Sequence, residues 1–522
     1  MSLQFIIGSS GIGKTHYACE QIIRESMENP QHLYYIIVPE QFTMQTQKNV
    51  VEMHPGKGIL NIDVLSFQRL AYRIFEETGG AREVLLDDTG KSMVLQKLVQ
   101  QHRKNLPYLG SQMNKPGYLD EVKSLISEFM QYDIREEELQ DMLGKTGEDS
   151  LLHMKMQDVG VLYQAFLQYL EGHYMTGEGV MDALKKAIPF SDKLKKSVLL
   201  LDGFTGFTPV QMNVIRELLN VCDKVLVTVT MDAGENPLQM GKPHQLFYMS
   251  RKMIHTLSGL TSNLDDPILL KDERKGRFGN FTSLDFLEKH LFRYRRSVYE
   301  KKQEEICIFA AESPVKELEE TARRIRRLVR EKNLKYGEIA VITGNLEAYK
   351  SIASQVFEES RIPYFLDEKH TILMNPFIEY IRAALEMVTK GFSYESVFRY
   401  LRCDMSGLAR DQVDMLENYV LALGIHGYKK WSEKWVRVYR TMDPEDIQVL
   451  NEYREIFVRE AEILAQGFSS GKRKVCEYCY SLYQFIASCE IQKKLKKQEL
   501  FFKEKGEKAL EKEYAQIYGI VM

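Results

Sequence analysis

The chain opens with Leu3, Phe5, Ile6 and Ile7, an apolar run too short for a helix that stops at Gly8. Such a run predicts a buried strand. Tyr34-Tyr35-Ile36-Ile37-Val38 before Pro39 predicts a second, and residues 59–65 before Ser66 a third. Each is followed by a stretch of helical periodicity, which predicts β–α–β units and a parallel sheet. Strand patterns vanish over residues 86–190. There Val122, Leu125, Ile126 and Phe129, then Val161, Leu162, Ala165, Phe166 and Tyr169, recur at helical spacing. The strand pattern returns with Ser197-Val198-Leu199-Leu200-Leu201-Asp202 and with Lys224-Val225-Leu226-Val227-Thr228-Val229-Thr230. Residues 271–280, charged and glycine-containing, read as a linker. A second α/β unit starts at Ile306-Cys307-Ile308-Phe309. Its helix, 317–332, puts Leu318, Ala322, Ile325 and Leu328 on one face, and Ile339-Ala340-Val341-Ile342-Thr343 is its next strand. From Ser393 onward the pattern is helical and charged.

The expected fold class is therefore α/β, with parallel-sheet domains and helical insertions. Residues 1–85 and 191–280 form the first sheet domain, 86–190 its insertion, 281–392 a second sheet domain, and 393–522 a helical region. A chain of 522 residues is too long for one core. Hydrophobic content of 44% and charged content of 27% are ordinary for a globular protein. A net charge of −3 announces no nucleic-acid binder, so any such site must be a local groove. No apolar run reaches membrane-spanning length, and polar loop residues occupy the place of a signal peptide's apolar region. Seven scattered cysteines suggest a reduced compartment. A cytoplasmic protein without a membrane partner is expected. The helical pattern of 508–518 runs out without a closing element, as in a piece of something longer.

Residues Gly8-Ser9-Ser10-Gly11-Ile12-Gly13-Lys14-Thr15 complete the pattern G-x-x-x-x-G-K-[ST] between a strand and a helix. That is the context a P-loop requires. Glycines let backbone N–H groups turn toward phosphate oxygens, and the helix N-terminus adds partial positive charge. Lys14 reaches the β/γ-phosphates and Thr15 ligates Mg²⁺, so ATP with Mg²⁺ is the expected ligand. Asp202 ends a later strand and is a second candidate for the Mg²⁺; the other reading is a turn or helix cap. A motor pairs such an aspartate with a glutamate that activates water. Here Gly203 follows instead, and no carboxylate comes before Glu217.

The loops after the second and third strands carry Gln41, Thr43, Phe67, Arg69 and Tyr72. Ligands bind beyond the carboxyl ends of parallel strands. Polar groups and aromatics together suit single-stranded DNA. Phe67, Leu70 and Tyr72 equally suit the core side of a helix start, and both readings stand. Cys476-Glu477-Tyr478-Cys479, with Cys489 beyond, has no second C-x-x-C. Tyr478, Cys479, Leu482, Tyr483 and Phe485 fit an apolar helix face, which makes these structural thiols. Lys493-Lys494-Leu495-Lys496-Lys497 reads as a solvated face, with phosphate contact as the other reading. No histidine pair forms a metal or triad signature.

Residues 8–15, 38–43 and 64–72, the pair Gly79-Gly80, Asp202-Gly203-Phe204 and Phe207-Thr208-Pro209 together resemble the AddB (RexB-type) family of helicase/deoxyribonuclease components. Residues 340–343 and 361–364 also resemble superfamily 1 helicases. The resemblance is colinear from end to end. It implies RecA-like P-loop domains of the superfamily 1 helicase kind. It implies a role in double-strand break repair by recombination, in a heterodimer with an AddA-like motor and nuclease. Partners would be single- and double-stranded DNA ends and the Chi sequence. The AddB-type chain would be a motor-dead helicase-like module that keeps a nucleotide site and reads Chi as single strand. Carried onto this chain, the Chi or DNA contacts are Gln41, Thr43, Phe67, Arg69 and Tyr72, with Phe204 and Phe207. Two positions depart from the family pattern: Tyr72, where tryptophan is frequent, and Ile12, where serine is usual. The family's exonuclease domain with its Mg²⁺ and its four-cysteine 4Fe-4S cluster would lie beyond this chain, which itself should carry neither nuclease nor helicase activity. Three other readings are weighed. One is an active superfamily 1 helicase or DNA-dependent ATPase. Another is a P-loop kinase with 86–190 as lid, against which the second α/β unit speaks. The last is a scaffold stabilised by nucleotide.

Overall fold

The computed structural model describes residues 2–522 apart from 81–82, 114, 148–149, 233, 272–276, 279–280, 294–296, 367–371, 440–441, 444, 470 and 472. It has two compact units, Met1–Phe309 and Ala310–Met522. Most of the expected linker, 271–280, lies outside the described residues.

The first unit begins with β1 (Ser2–Gly8), α1 (Lys14–Glu28), β2 (Leu33–Ile37), α2 (Thr43–Met53), β3 (Ile62–Leu65) and α3 (Phe67–Thr78). Gly79 and Gly80, at φ +91° and +75°, end α3 in the left-handed region that glycine enters freely. Next come β4 (Val84–Leu86), α4 (Asp88–His102), α5 (Leu109–Gln112), α6 (Pro116–Gln131), α7 (Glu136–Gly144), α8 (Leu151–Leu170), β5 (Tyr174–Thr176) and α9 (Gly179–Ala187). The sheet resumes with β6 (Ser197–Leu201), α10 (Pro209–Val221), β7 (Lys224–Thr230), α11 (Tyr248–Ser258) and β8 (Ile268–Leu269), and α12 (Thr282–His290) follows.

Six strands form one parallel sheet in the order β3-β2-β6-β7-β1-β8. Both faces are covered, which is why the strands read as continuous apolar runs rather than alternating ones. Successive residues still part company. Leu3, Phe5 and Ile7 join Leu199, Leu201, Val225 and Val227 against α3, α9, α10 and α11. Ile6 joins Tyr34, Ile36, Leu200 and Leu226 against α1 and α2.

The insertion has its own core, which includes Val122, Ile126, Phe129, Leu162, Ala165 and Phe166. One expectation changes here. The stretch is not wholly helical, because β4 and β5 pair in parallel, Val84 with Tyr174 through Leu86 with Thr176. Three-residue strands are too short to show a period. Across the insertion, Lys91 on α4 donates to both oxygens of Glu178 at 3.0 Å. Burial pushes the Glu178 carboxyl up, and the Lys91 bonds outweigh it, leaving the group below its usual range.

The second unit departs further from expectation. α13 (Pro314–Glu331) and α14 (Leu346–Glu359) pack through Leu318, Ala322, Ile325, Val356 and Phe357, with Ile362 beside them. Leu328, placed on the same face from sequence, is exposed. Residues 339–343 are extended without being strands, and no strand follows Leu269 among the described residues. The stretch 306–309, at the end of the first unit, is likewise no strand. A β-prone run becomes a strand only when another strand supplies its hydrogen bonds, and Ile342 and Phe365 stand 93% and 87% exposed. The remaining helices, from Pro376–Thr389 to Lys508–Val521, share one core that starts at Phe377, so the helical region begins before Ser393. In it Tyr380 and Tyr400 share a 2.9 Å hydrogen bond, and Tyr400 donates to Glu460 at 2.9 Å. Cys476, Cys479 and Tyr483 are exposed. The apolar face of that helix is Tyr478, Leu482, Phe485 and Ile486, and Cys479 and Tyr483 both fall beyond one edge of it. Lys493 and Lys496 pair with Glu490 and Glu499, and Lys494 donates to the Met405 carbonyl.

Replacing Lys91 by methionine would leave Glu178 buried and unpaired. Lys91→Met is expected to destabilise the first unit by about 3 kcal/mol, read as a fall in the urea midpoint, whereas an unchanged midpoint would mean that water already compensates Glu178.

Candidate functional site

The loop after β1 is shaped by two glycines. Gly11 and Gly13 sit at φ +77° and +99°, where a side chain would strain the backbone. Gly11 has a second reason: a Cβ there would come within 2.7 Å of the Phe278 ring. Gly13 begins α1 with no side chain capping the helix, and no acidic residue occupies the first turn. The first N–H groups of α1 thus keep no side-chain acceptor, which is what an anion at a helix N-terminus requires. A cavity of about 1060 Å³ lies against this loop, bordered by Gly11, Lys14, Thr15, Lys271 and Arg277, with Glu52 as its one carboxylate among the described residues. Its cationic border suits phosphate. Ser9 and Ser10 stand on the outer arc, Ile12 is half-buried, and Gly8 closes the strand.

Lys14 donates to the Ser9 carbonyl at 2.8 Å, folded back over its own loop. Burial pulls its ammonium below the ordinary value, against the opposing charges of Asp202 and Glu288. Thr15 donates to both carboxylate oxygens of Asp202, at 3.1 and 3.0 Å. Asp202 is 5% exposed and takes a third bond from the Thr228 hydroxyl at 2.6 Å. Asp202 therefore joins the loop rather than capping a helix; the cap of α10 is Thr208. The pair Thr15 and Asp202 could hold Mg²⁺ beside a bound phosphate. Thr228 was not legible as a site residue, although a lone hydroxyl inside an apolar strand is a signal. Cys19, one turn beyond Thr15, has its thiol pushed up to about 12 by burial and by Asp202, and is inert.

Gly203 stands at φ +78°, and it is exposed. A glutamate there would have to adopt a left-handed backbone, which costs an ordinary side chain roughly 1–2 kcal/mol.

β3, β2 and β6 are neighbours, so the loops at their carboxyl ends share one edge. This brings Gln41, Phe67, Arg69, Phe204 and Phe207 together. Gln41 is exposed, and Arg69 lies 3.6 Å from Glu40. Phe204 and Phe207 are half-buried and meet Phe67 edge-on at ring distances of 5.6 and 6.3 Å. Phe67 itself is buried in the core, and Thr43 is buried with its hydroxyl on the Glu40 carbonyl at 2.9 Å. These two support the surface from beneath rather than forming it, so of the alternatives for Phe67 the core reading holds. Tyr72 is 44% exposed, a turn and a half along α3 from Phe67, and packs edge-on against Phe75.

Fold and loop together define a class: a parallel α/β protein with a glycine-rich loop of the pattern G-x-x-x-x-G-K-[ST] at the end of a sheet strand. The chain belongs to the family described as "ADDB, N-terminal", whose profile matches residues 5–288. A curated relative from Lachnoclostridium phytofermentans, named as the B subunit of an ATP-dependent helicase/deoxyribonuclease, is 40% identical over 532 residues, covering all of this chain and 46% of the relative. Proteins of the same name from Clostridium novyi and Caldanaerobacter subterraneus subsp. tengcongensis are each 33% identical, over 530 and 534 residues, with the same shares covered. The chain spans about half the length of the curated relatives it matches. No helix among the described residues is long and apolar enough to cross a membrane.

Removing the Thr228 hydroxyl would cost the buried carboxylate one of its donors. Thr228→Val is expected to destabilise the first unit by about 2 kcal/mol, read by urea unfolding. No loss would mean that Asp202 is satisfied by Thr15 alone.

Proposed function

We propose that this chain is the N-terminal part of the AddB-type component of a heterodimeric ATP-dependent helicase/deoxyribonuclease, working with an AddA-like motor in the cytoplasm on double-strand breaks during recombination. In this reading residues 1–85 and 191–280 are a RecA-like P-loop domain of the superfamily 1 kind, and 86–190 its insertion. The extended runs 339–343 and 362–366 belong to a second such domain, whose sheet is completed by the rest of the full-length protein. The exonuclease, its Mg²⁺ and the 4Fe-4S cluster belong to that remainder as well.

The first unit holds ATP and Mg²⁺ without turning the nucleotide over. The single observation behind this is the hydrogen-bonded pair Thr15 and Asp202 beside a left-handed Gly203. A loop with free helix N–H groups and a hydroxyl–carboxylate pair supports binding, and the backbone at Gly203, where a motor has its water-activating carboxylate, disfavours one. General-base assistance is worth roughly 10²–10⁴-fold, so its loss leaves binding and forfeits turnover. Bound nucleotide then serves as a structural element that couples the loop to the sheet edge next to it.

Single-stranded DNA, including Chi, crosses the shared edge of β3, β2 and β6. Arg69 and Gln41 meet the backbone, Phe204, Phe207 and Tyr72 offer ring faces to bases, and Phe67 and Thr43 hold that surface in place. The competing reading is an active DNA-dependent ATPase. It draws on one observation: Glu288, whose carboxylate takes a hydrogen bond from the Ser10 N–H of the loop at 3.3 Å, could supply the missing carboxylate.

ATP hydrolysis by the purified chain, with and without single-stranded DNA, separates the two. Binding of Mg·ADP that disappears in Lys14→Ala, with no DNA-stimulated turnover, is the expected result; robust turnover that disappears in Lys14→Ala would establish the active ATPase instead. For the DNA edge, Phe204→Ala and Arg69→Ala are each expected to weaken oligonucleotide binding about tenfold in fluorescence anisotropy. Unchanged affinity in both would move the DNA path elsewhere.

A further inference from the structure

The loop of residues 8–15 already carries an anion. The Ser10 N–H donates to a carboxylate oxygen of Glu288 on α12 at 3.3 Å. The charge of Glu288 also acts on Lys14. Arg293 stands 3.5 Å from the same carboxylate oxygen. Arg293 is in turn fixed by Asp232 just beyond β7, through Nε and Nη2 at 2.9 and 3.0 Å, and lies over the Phe247 ring at 5.0 Å. A backbone amide of the glycine-rich loop and an arginine hold one carboxylate that is 17% exposed, and its charge reaches the loop lysine. This is the set of donors and cations that a nucleotide phosphate would use. The same segment touches the loop at two further points, where the Arg277 N–H donates to the Gly11 carbonyl at 2.9 Å and Phe278 packs on Gly11.

The helix that delivers Glu288 is weakly held. Within α12 Ser283 is the one buried residue, and none of its apolar side chains belongs to a core of the unit. Leu287, the neighbour of Glu288, is 38% exposed. Its other ties include two peripheral hydrogen bonds, Ser283 to Glu305 at 2.8 Å and Thr282 with Tyr299 at 2.5 Å, and a ring contact of Phe286 with Tyr299 at 5.3 Å. An element with few buried apolar contacts opens at low free energy.

Building on the nucleotide reading above, we propose that Glu288 is an internal phosphate mimic, whose carboxylate competes with nucleotide phosphate for the loop, so that filling the site releases α12. The coupling runs both ways: nucleotide expels the helix, and whatever holds the helix in place weakens nucleotide. Arg293, relieved of Glu288, then faces the incoming phosphate together with Lys14. The loop thereby becomes a switch that reports nucleotide to the segment leading out of the first unit, without hydrolysis.

The test is Mg·ADP binding by calorimetry to the whole chain and to Glu288→Ala, Glu288→Gln and Lys14→Ala, each first checked by thermal melting. It is joined by amide exchange of residues 282–290 with and without ADP. A charge-assisted bond of this kind corresponds to about tenfold in affinity. Glu288→Ala should bind about tenfold tighter than the native chain, Glu288→Gln should fall between them, and ADP should speed exchange in 282–290. If ADP binds in a Lys14-dependent way while Glu288→Ala gains nothing, or exchange in 282–290 stays unchanged or slows, the mimic is wrong and the nucleotide site stands. If turnover is present and Glu288→Ala abolishes it, Glu288 is a general base and not a mimic. If neither the folded native chain nor folded Glu288→Ala binds ADP, the nucleotide reading falls and the mimic falls with it.

Discussion

One buried carboxylate sets the geometry on which the candidate site depends. Asp202 follows β6 directly with almost no exposure, and a carboxylate in such a place is tolerated only when its oxygens are hydrogen-bonded. Thr15 supplies bonds from the start of α1 and Thr228 from β7. Three elements are thus tied at one point by hydroxyls on a charge. The tie fixes where α1 begins, hence where its N–H groups aim and where Lys14 can reach. It also fixes the turn after β6, which throws Gly203 into a left-handed conformation and brings Phe204 and Phe207 over Phe67.

The sheet was legible because strands buried on both faces write themselves as unbroken apolar runs. β7 lies where its seven residues predict, and β6 ends one residue short of Asp202. The glycine-rich loop was legible because its spacing between strand and helix is specific. What escaped the sequence did so for physical reasons. β4, β5 and β8, of three, three and two residues, are shorter than any period. The runs 306–309 and 339–343 have the composition of strands, but composition cannot supply a hydrogen-bonding neighbour. Phe67 and Thr43 follow the right strands, yet their side chains point down, because each opens a helix and falls on its buried stripe, with Leu70, Ala71 and Ile74 in one case and Thr46 and Val50 in the other. Glu288 carries no motif and reaches the loop across 278 positions of sequence.

The same edge of one parallel sheet carries both functions proposed for the first unit. The glycine-rich loop follows β1, the loops proposed to face DNA follow β3, β2 and β6, and β7 stands between them. Asp202 belongs to both sides, since it bonds Thr15 and opens the loop that holds Phe204. The two proposed sites are therefore a few strands apart on one sheet. Under the proposed reading, this arrangement would couple what sits in the loop to what lies on the edge without hydrolysis.

The most direct measurement is a crystal structure of the chain with ADP and Mg²⁺. The account predicts phosphates on the amides of residues 11–15, Mg²⁺ beside Thr15 and Asp202, and the Glu288 carboxylate withdrawn from Ser10. Nucleotide bound away from that loop, or bound with Glu288 still on the Ser10 amide, would contradict it.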